Sequence, residues 1–332
     1  MNYRFLGRTG VKVSTLSLGT MTFGREADER ESKRILDRYL DAGGNFVDTA
    51  DVYGRSPGDT ESVLARILAG RRERVILATK VFGRMGGGPN EQGLSRMHMA
   101  SAVESSLRRL KTDRIDLYYL HNWDHPTAVE EPLRAMEDLV RSGKVLYVGA
   151  SNFAARHLMK SLCIAAQRGY VGICCLQAQY SLVERAVENE LLPLCTEEGL
   201  GFVAWGPLGG GFLSGKYSPG GKPATGTRLA VAKDAQEASW KNKATEHNFA
   251  VAARVKQVAA QRGCTAAQIA LAWLLSRPGV TAPILGARSA AQLEENLGAA
   301  ELMLTQEQIA SLDQVSATPP QYPYRMYERT LR

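Results

Sequence analysis

Eight short apolar runs recur along the chain, and between them the hydrophobic period changes from that of a strand to that of a helix. The runs are STLSLG, GNFVD, VILATK, IDLYYLH, VLYVGAS, ICCLQ, GFVAW and TAPILG. They mostly lack the polar alternation of a sheet with one wet face, as expected of parallel strands covered on both faces. Residues 28–42, 95–110, 127–142, 153–168 and 185–198 carry the helical period. A repeated strand–helix unit admits an open doubly wound sheet or a closed eight-stranded barrel. The count of eight favours the barrel, and 332 residues leave about 40 per unit, near a barrel's usual allowance with insertions. No Pro/Gly/Ser-rich linker divides the chain into two cores. The expectation is an α/β fold: a (β/α)8 TIM-type barrel occupying residues 1–332 as a single domain. An N-terminal β-hairpin (YRFLG, a turn at 8–10, VKVS) precedes it, and long loops rise from its C-terminal face.

Composition narrows the class. Hydrophobic residues at 44% and charged residues at 23% are ordinary for a water-soluble globular chain, and no apolar run approaches the roughly 18 residues that span a bilayer. The opening MNYRFLGRTGVKVS has no secretory-signal pattern. Five cysteines, an odd number without a C-x-x-C pair and mostly in apolar surroundings, read as reduced thiols of a cytoplasmic protein. The net charge of +7 is spread along the chain, which argues against a nucleic-acid partner and leaves room for a cationic pocket that takes a phosphorylated ligand. No membrane partner is expected, and the oligomeric state is open between monomer and homo-oligomer.

Two stretches break the rhythm. GRMGGGPNEQG follows Lys80, and residues 214–243 are long, basic and poor in apolar side chains, as a lid or ligand clasp would be; a disordered excursion fits them equally well. The tail from 317 to 332, rich in proline and aromatics, either packs over the barrel mouth or meets another subunit.

In a barrel of this kind, polar groups at the C-terminal ends of strands face the site. Strand two ends at Asp48 and its loop carries Tyr53, strand three ends at Lys80 and strand four at His121. Taken singly, each has a plain structural role: a loop-start cap, a packed aromatic, a solvated strand end, a satisfied polar tip. Together they supply what carbonyl reduction needs besides an imported hydride donor: an acid for the developing alkoxide and groups that tune it. A phenol beside an ammonium loses its proton more easily, so Lys80 is expected to ease proton loss from Tyr53, with Asp48 orienting Lys80 and His121 reaching the carbonyl oxygen.

Over essentially its whole length the chain resembles the aldo-keto reductases. The matching segments are LGRTGVKVSTLSLGTMTFG, GGNFVDTADVYG, VILATK, IDLYYLHNWD, GKVLYVGASNF, LQAQYSLVER, WGPLGGGFLSGKY and PILGARSAAQLEENLGA. The resemblance leans toward the branch holding bacterial sugar-type aldehyde reductases and potassium-channel β subunits. It implies the barrel, NADPH/NADP+ as cofactor and a catalytic tetrad of Asp48, Tyr53, Lys80 and His121. It implies a carboxamide held by Ser151, Asn152 and Gln177, and a nicotinamide ring stacked on Trp205. Gly19, Thr20, Met21, Asp48 and Gly206 would border the cofactor, with Leu208, Gly210 and Lys216 at its pyrophosphate. Gly286, Arg288, Ser289, Gln292, Glu295 and Asn296 would surround the adenosine 2′-phosphate, where the backbone N–H groups of a helix start and the Arg288 guanidinium suit an anion.

Two look-alikes lose to this reading. GGFLSGKY fits G-x-x-x-x-G-K, but Tyr217 stands where a triphosphatase needs Ser or Thr for magnesium, and SPGG follows in place of a helix. His121 and His125 are four apart, yet NWDHP contains a proline and reads as loop, so no metal site is expected. Met21, Phe23, Phe82 and Trp123, with Tyr53 and His121, are expected to line an apolar pocket around one polar centre, for a carbonyl or alcohol substrate. The alternative role is a cofactor-sensing regulatory subunit with little turnover, as the channel relatives suggest.

Overall fold

A computed structural model of the chain describes residues 1–223, 225–232, 239–320 and 322–327. A hairpin of β1 (Tyr3–Phe5) and β2 (Lys12–Ser14) pairs antiparallel, Tyr3 opposite Ser14. Eight parallel strands then close on themselves, each expected run yielding one. In order around the barrel they are β3 (Ser17–Gly19), β4 (Phe46–Asp48), β5 (Ile76–Val81), β6 (Ile115–Leu120), β7 (Val145–Ser151), β8 (Ile173–Gln179), β9 (Gly201–Trp205) and β10 (Val280–Gly286), with Ile284 beside Ser17 at the seam. Helices α1 (Glu29–Asp41), α2 (Asp59–Ile67), α3 (Arg96–Leu110), α4 (Glu130–Arg141), α5 (Ala155–Arg168) and α6 (Leu191–Glu198) cross between consecutive strands. The last crossover holds α7 (Arg228–Val231), α8 (Trp240–Lys243), α9 (Glu246–Arg262) and α10 (Ala266–Ser276); α11 (Ala290–Leu297), α12 (Gln306–Ser316) and α13 (Tyr324–Tyr327) follow.

Local chemistry fixes most helix starts. Asp28, Ser95, Thr245, Thr265, Ser289 and Thr305 each accept a first-turn N–H, and Thr265 and Thr305 close capping boxes with Gln268 and Gln308. Two helices are shorter than their period suggested. Residues 185–198 divide into a 3₁₀ turn (Ala186–Glu188) and α6, and the 127–142 stretch becomes helical only at Glu130. In both, a proline (Pro193, Pro132) sits in the first turn, where its missing N–H leaves no bond unmade, so the helix begins just before it.

The lumen is filled by Phe46, Ala78, Leu117, Tyr119, Cys175, Val203, Ala282 and Ile284, and the hairpin closes its floor with Leu6 and Val13. Gly7, at φ 60°, lies against the Gly199 and Cys174 carbonyls and the Gly201 nitrogen. A Cβ there would come within 2.5 Å of the Cys174 oxygen, so only glycine lets backbone meet backbone at the floor. Two further apolar layers lie between the strands and the helices. The Tyr39 hydroxyl of α1 ties the first strands together: it accepts from Phe46 N, lies 2.8 Å from Ser14 Oγ, and is within donating distance of the Leu16 and Phe46 carbonyls.

The long loop after β9 is anchored by apolar contacts as well as charged. Phe212, Tyr217 and Leu229 pack with Trp240 and Phe249 in a separate cluster, so its described part is no loose excursion. Residues 224 and 233–238 of that loop, and 321 and 328–332 of the tail, lie outside the described residues. The described tail ends in α13, with Tyr324 hydrogen-bonded to Glu190 at the start of α6.

Tyr39→Phe leaves the buried Phe46 N–H and Ser14 hydroxyl each short of a partner. Urea unfolding of this variant is expected to show a loss of about 1–3 kcal/mol with catalytic parameters unchanged.

Candidate active site

The four strand-end residues converge. Lys80 is fully buried and donates from Nζ to Asp48 Oδ1 at 2.5 Å and to the Thr49 carbonyl at 2.7 Å. Its ammonium lies 5.2 Å from the centre of the Tyr53 ring, close enough for its charge to act on the phenol. His121 follows β6, its N–H bonded to the Val81 carbonyl, and presents its ring edge-on to Tyr53 with centroids 6.2 Å apart.

Electrostatics assign the protons. Burial lowers the basicity of Lys80, but Asp48 and Tyr53 outweigh it, so Lys80 is held above its usual value and stays charged. Burial, with the Lys80 charge second, drives His121 down to about 3; the ring is neutral and can share a hydrogen bond without carrying charge. Tyr53 departs from expectation. Burial raises its pKa by more than Lys80 lowers it, and Asp48 raises it further. Lys80 therefore limits the climb without reversing it, and the phenol is a neutral donor.

Around this centre the expected cofactor residues make specific contacts. Asn152, in the left-handed region at φ 56°, donates from Nδ2 to the His121 carbonyl (3.0 Å) and Ser151 Oγ (3.1 Å), and its Oδ1 accepts from Trp205 Nε1 (2.9 Å). Its amide thus joins the ends of β6, β7 and β9. Gln177 is placed differently from a simple carboxamide clamp: its Nε2 donates to Asp48 Oδ2 at 2.8 Å, which leaves its carbonyl oxygen as the group open to another partner. Thr20 is buried, its hydroxyl on the Asp48 carbonyl, while Gly19 lies behind it in the strand and Met21 is half-buried at the rim. Gly206 and Gly210 occupy positive φ in the turn after Trp205, Leu208 is half-buried there, and Lys216 is exposed.

At the start of α11 the backbone is less open than expected. The N–H of Arg288 is taken by Gln292 Oε1, that of Ala290 by Glu31 Oε1 and that of Gln292 by Ser289 Oγ. What remains for an anion is chiefly the Arg288 guanidinium, which also donates to the Gly226 carbonyl of the long loop at 2.6 Å. Gly286 and Glu295 are exposed, and Asn296 is buried.

Of the expected pocket residues, Phe82 and Trp123 are half-buried, and Trp123 stacks face to face on His157 at 4.0 Å, which covers one side of its ring. Phe23 does not line the pocket. It has no exposed surface and packs with Leu16, Leu18, Ile35 and Leu36 in the layer under α1, because the chain turns back at once through the Phe23–Ala27 bridge.

Two features escaped the sequence reading. Arg228 of the long loop stands over the mouth, 3.9 Å from Met21 Sδ and close enough for its charge to act on Tyr53. Behind the barrel wall, Glu61 accepts from Thr79 Oγ1 and Arg109 Nε, both at 2.7 Å, and next to it Asp51 is fully buried with neither carboxylate oxygen hydrogen-bonded. Helical period flagged neither, since both depend on contacts between distant segments. A cavity of about 460 Å³ opens at the opposite end of the barrel beside Arg4, Arg8 and Arg277. There Arg4 is committed to the Leu275 and Val280 carbonyls, and the strand ends that carry the ionisable cluster face away.

The aldo/keto reductase family model matches residues 15–317. The chain belongs to the aldo/keto reductase family. The protein YrpG of Bacillus subtilis (strain 168), described as an uncharacterized oxidoreductase, is 42% identical over 96% of this aldo/keto reductase and 97% of its own length. A probable voltage-gated potassium channel subunit beta of Arabidopsis thaliana is 36% identical over 97% and 99%. The norsolorinic acid reductase of Aspergillus flavus is 33% identical over 92% and 78%. This aldo/keto reductase is accordingly an oxidoreductase acting on small molecules. Among the described residues no helix is long and apolar enough to cross a membrane, and no three His, Cys, Asp or Glu side chains gather as metal ligands would.

Burial pushes Asp51 up to about 8, with the negative charge of Glu61 next and Arg109 and Lys80 opposing. Tyr118 is the other titratable group in its field. A carboxyl raised above its unfolded value stabilises the fold fully below about pH 4 and loses that contribution as pH rises, until none is left above about 8. Asp51→Asn cannot ionise. Its unfolding free energy, followed by urea denaturation from pH 5 to 8, is expected to fall less steeply than that of the parent, the difference approaching about 1 kcal/mol per pH unit.

Proposed function

We propose that the protein is an NADPH-dependent reductase of aldehydes or ketones, reversible in principle, with residues 1–332 working as one domain in the cytoplasm. The observation that carries this reading is the buried Asp48–Lys80 pair beneath a neutral Tyr53, with a neutral His121 at its edge.

The donor set suits such a cofactor chemically. Asn152 and the free carbonyl of Gln177 offer what a carboxamide requires, the half-buried Trp205 offers an aromatic face, and Lys216, Arg228 and Arg288 offer cations for phosphates. When bound, the nicotinamide supplies hydride. This chain does the rest. Tyr53 donates its proton to the alkoxide oxygen as charge develops there, and Lys80 stabilises the phenolate left behind. Asp48 keeps Lys80 charged and aimed, and the uncharged His121 shares a hydrogen bond with the carbonyl oxygen without competing as an acid. Met21, Phe82 and Trp123 form apolar walls that exclude water from the polar centre.

A second reading draws on the channel-subunit relatives, which match this chain from end to end. Here nucleotide binding is the output and turnover is slow. Slow turnover on every carbonyl tried, together with tight NADPH binding and a co-purifying membrane protein, would favour it. The intact proton-donating cluster favours the reductase.

Purified protein mixed with NADPH and a carbonyl panel is expected to oxidise the cofactor. Tyr53→Phe is expected to lower kcat by about 100-fold or more while NADPH still raises the melting temperature. Full activity in that variant would remove Tyr53 from the mechanism. Melting shifts also test the choice of nucleotide: NADPH should stabilise the parent more than NADH does, and Arg288→Ala should narrow the gap by about tenfold in relative affinity. Greater stabilisation by NADH would overturn the role given to Arg288.

A further inference from the structure

We propose that Tyr119, beneath the Asp48–Lys80 pair inside the barrel, is a positioning residue for the proton transfer: its ring face keeps Lys80 charged and in place against Asp48. The inference rests on the reading of Tyr53 as the proton donor.

Tyr119 of β6 stands directly beside Lys80 of β5 in the ladder, and beside Gly149 of β7 on its other flank. It is fully buried in the lumen and packs in the cluster that holds Phe46, Leu117, Cys175 and Val203. The Lys80 ammonium lies 5.7 Å from the Tyr119 ring centre and 5.2 Å from that of Tyr53, so it sits between two aromatic faces. Two of its N–H groups go to Asp48 Oδ1 and the Thr49 carbonyl. From below, the ring face of Tyr119 is what replaces the water that a buried ammonium loses.

The Tyr119 hydroxyl accepts from Cys175 Sγ at 3.6 Å. Above it, Gln177 donates to Asp48 Oδ2, while Lys80 takes Oδ1. Asp48 is thereby gripped at both oxygens, and the ring of Tyr119 holds the ammonium at the first of them from below. Burial holds the Tyr119 phenol well above the usual tyrosine range, so it acts as a neutral partner that neither donates to nor drains the reacting pair. The ring fits because position 149 is glycine: a Cβ there would stand 2.5 Å from Cδ1 and Cε1 of Tyr119.

Steady-state kinetics against pH test the role of the ring, with NADPH and any carbonyl that the parent turns over, on Tyr119→Leu, Tyr119→Phe and, as control, Tyr53→Phe. Losing the ring in Tyr119→Leu is expected to move the alkaline limb of kcat down by about one pH unit and to lower kcat about tenfold. KM for both substrates should stay within about twofold, since Tyr119 touches neither. Tyr119→Phe keeps the ring, so its alkaline limb should stay in place and its kcat within about twofold of the parent's. An unmoved limb in Tyr119→Leu overturns the inference, as does a loss confined to KM. If Tyr119→Leu does not fold, Gly149→Ala, which drives a methyl group into the ring, is read by the same criterion: a shifted limb supports the inference and an unmoved one overturns it. An inactive Tyr53→Phe beside an unmoved Tyr119→Leu limb defeats only the role of Tyr119. A fully active Tyr53→Phe defeats the proton-donor reading and this inference together.

Discussion

The Lys80–Asp48 ion pair sets the terms for everything around it. An ammonium with no solvent exposure is costly to bury, by several kcal/mol after relaxation, unless its hydrogen bonds are complete and an opposite charge is fixed beside it. Asp48 Oδ1, the Thr49 carbonyl and the ring of Tyr53 meet that demand. The requirement propagates outward: Asp48 must not swing, so Gln177 holds its second oxygen and Thr20 holds its carbonyl. Three strands and a loop are thus committed to one charge, and a barrel can commit them because its strand ends all face one mouth.

The same arrangement explains why the neighbouring groups stay neutral. Burial strips a charged imidazole of its hydration, and the Lys80 charge adds its repulsion, which is why His121 is so weakly basic. A phenolate would suit Lys80 but would lose solvation, and for Tyr53 the loss wins. The resting state is one charge pair flanked by two neutral hydrogen-bonding side chains. Charge that develops on a substrate oxygen then meets groups already oriented, without solvent reorganisation. The apolar lumen below, from Phe46 to Ile284, keeps the local dielectric low and gives those interactions their strength.

Much of this was legible in the sequence, for reasons that also mark the limits. Strands buried on both faces leave uninterrupted apolar runs, so all eight could be counted, and the ionisable cluster was legible because it sits where those runs stop. Contacts between side chains far apart in sequence leave no such trace. Phe23 looked like a pocket wall because it follows Met21, yet the Phe23–Ala27 bridge turns it into the core. The start of α11 had the pattern of an anion cradle, but Glu31, 259 positions away, had already taken the Ala290 N–H. The basic loop could be read equally as a clasp or as an excursion because its apolar residues are sparse, and Phe212, Tyr217, Trp240 and Phe249 nevertheless find one another.

The loop after β9 joins the two ends of the site. Its Gly226 carbonyl accepts from Arg288, and Arg228, two residues on, reaches Met21 and the field of Tyr53. A guanidinium beside the proton donor favours negative charge at the mouth, where an alkoxide forms and where phosphates would pass. The Phe212–Tyr217–Trp240 cluster anchors the loop's two ends to the body of the barrel, while Gly226 and Arg228 between them reach Arg288 and Met21. A shift of Arg228 would alter the mouth and the field on Tyr53 together. Specificity and proton transfer are thereby coupled through one segment, and changes in the loop's basic residues should be felt at the phenol even where the strand-end cluster is untouched.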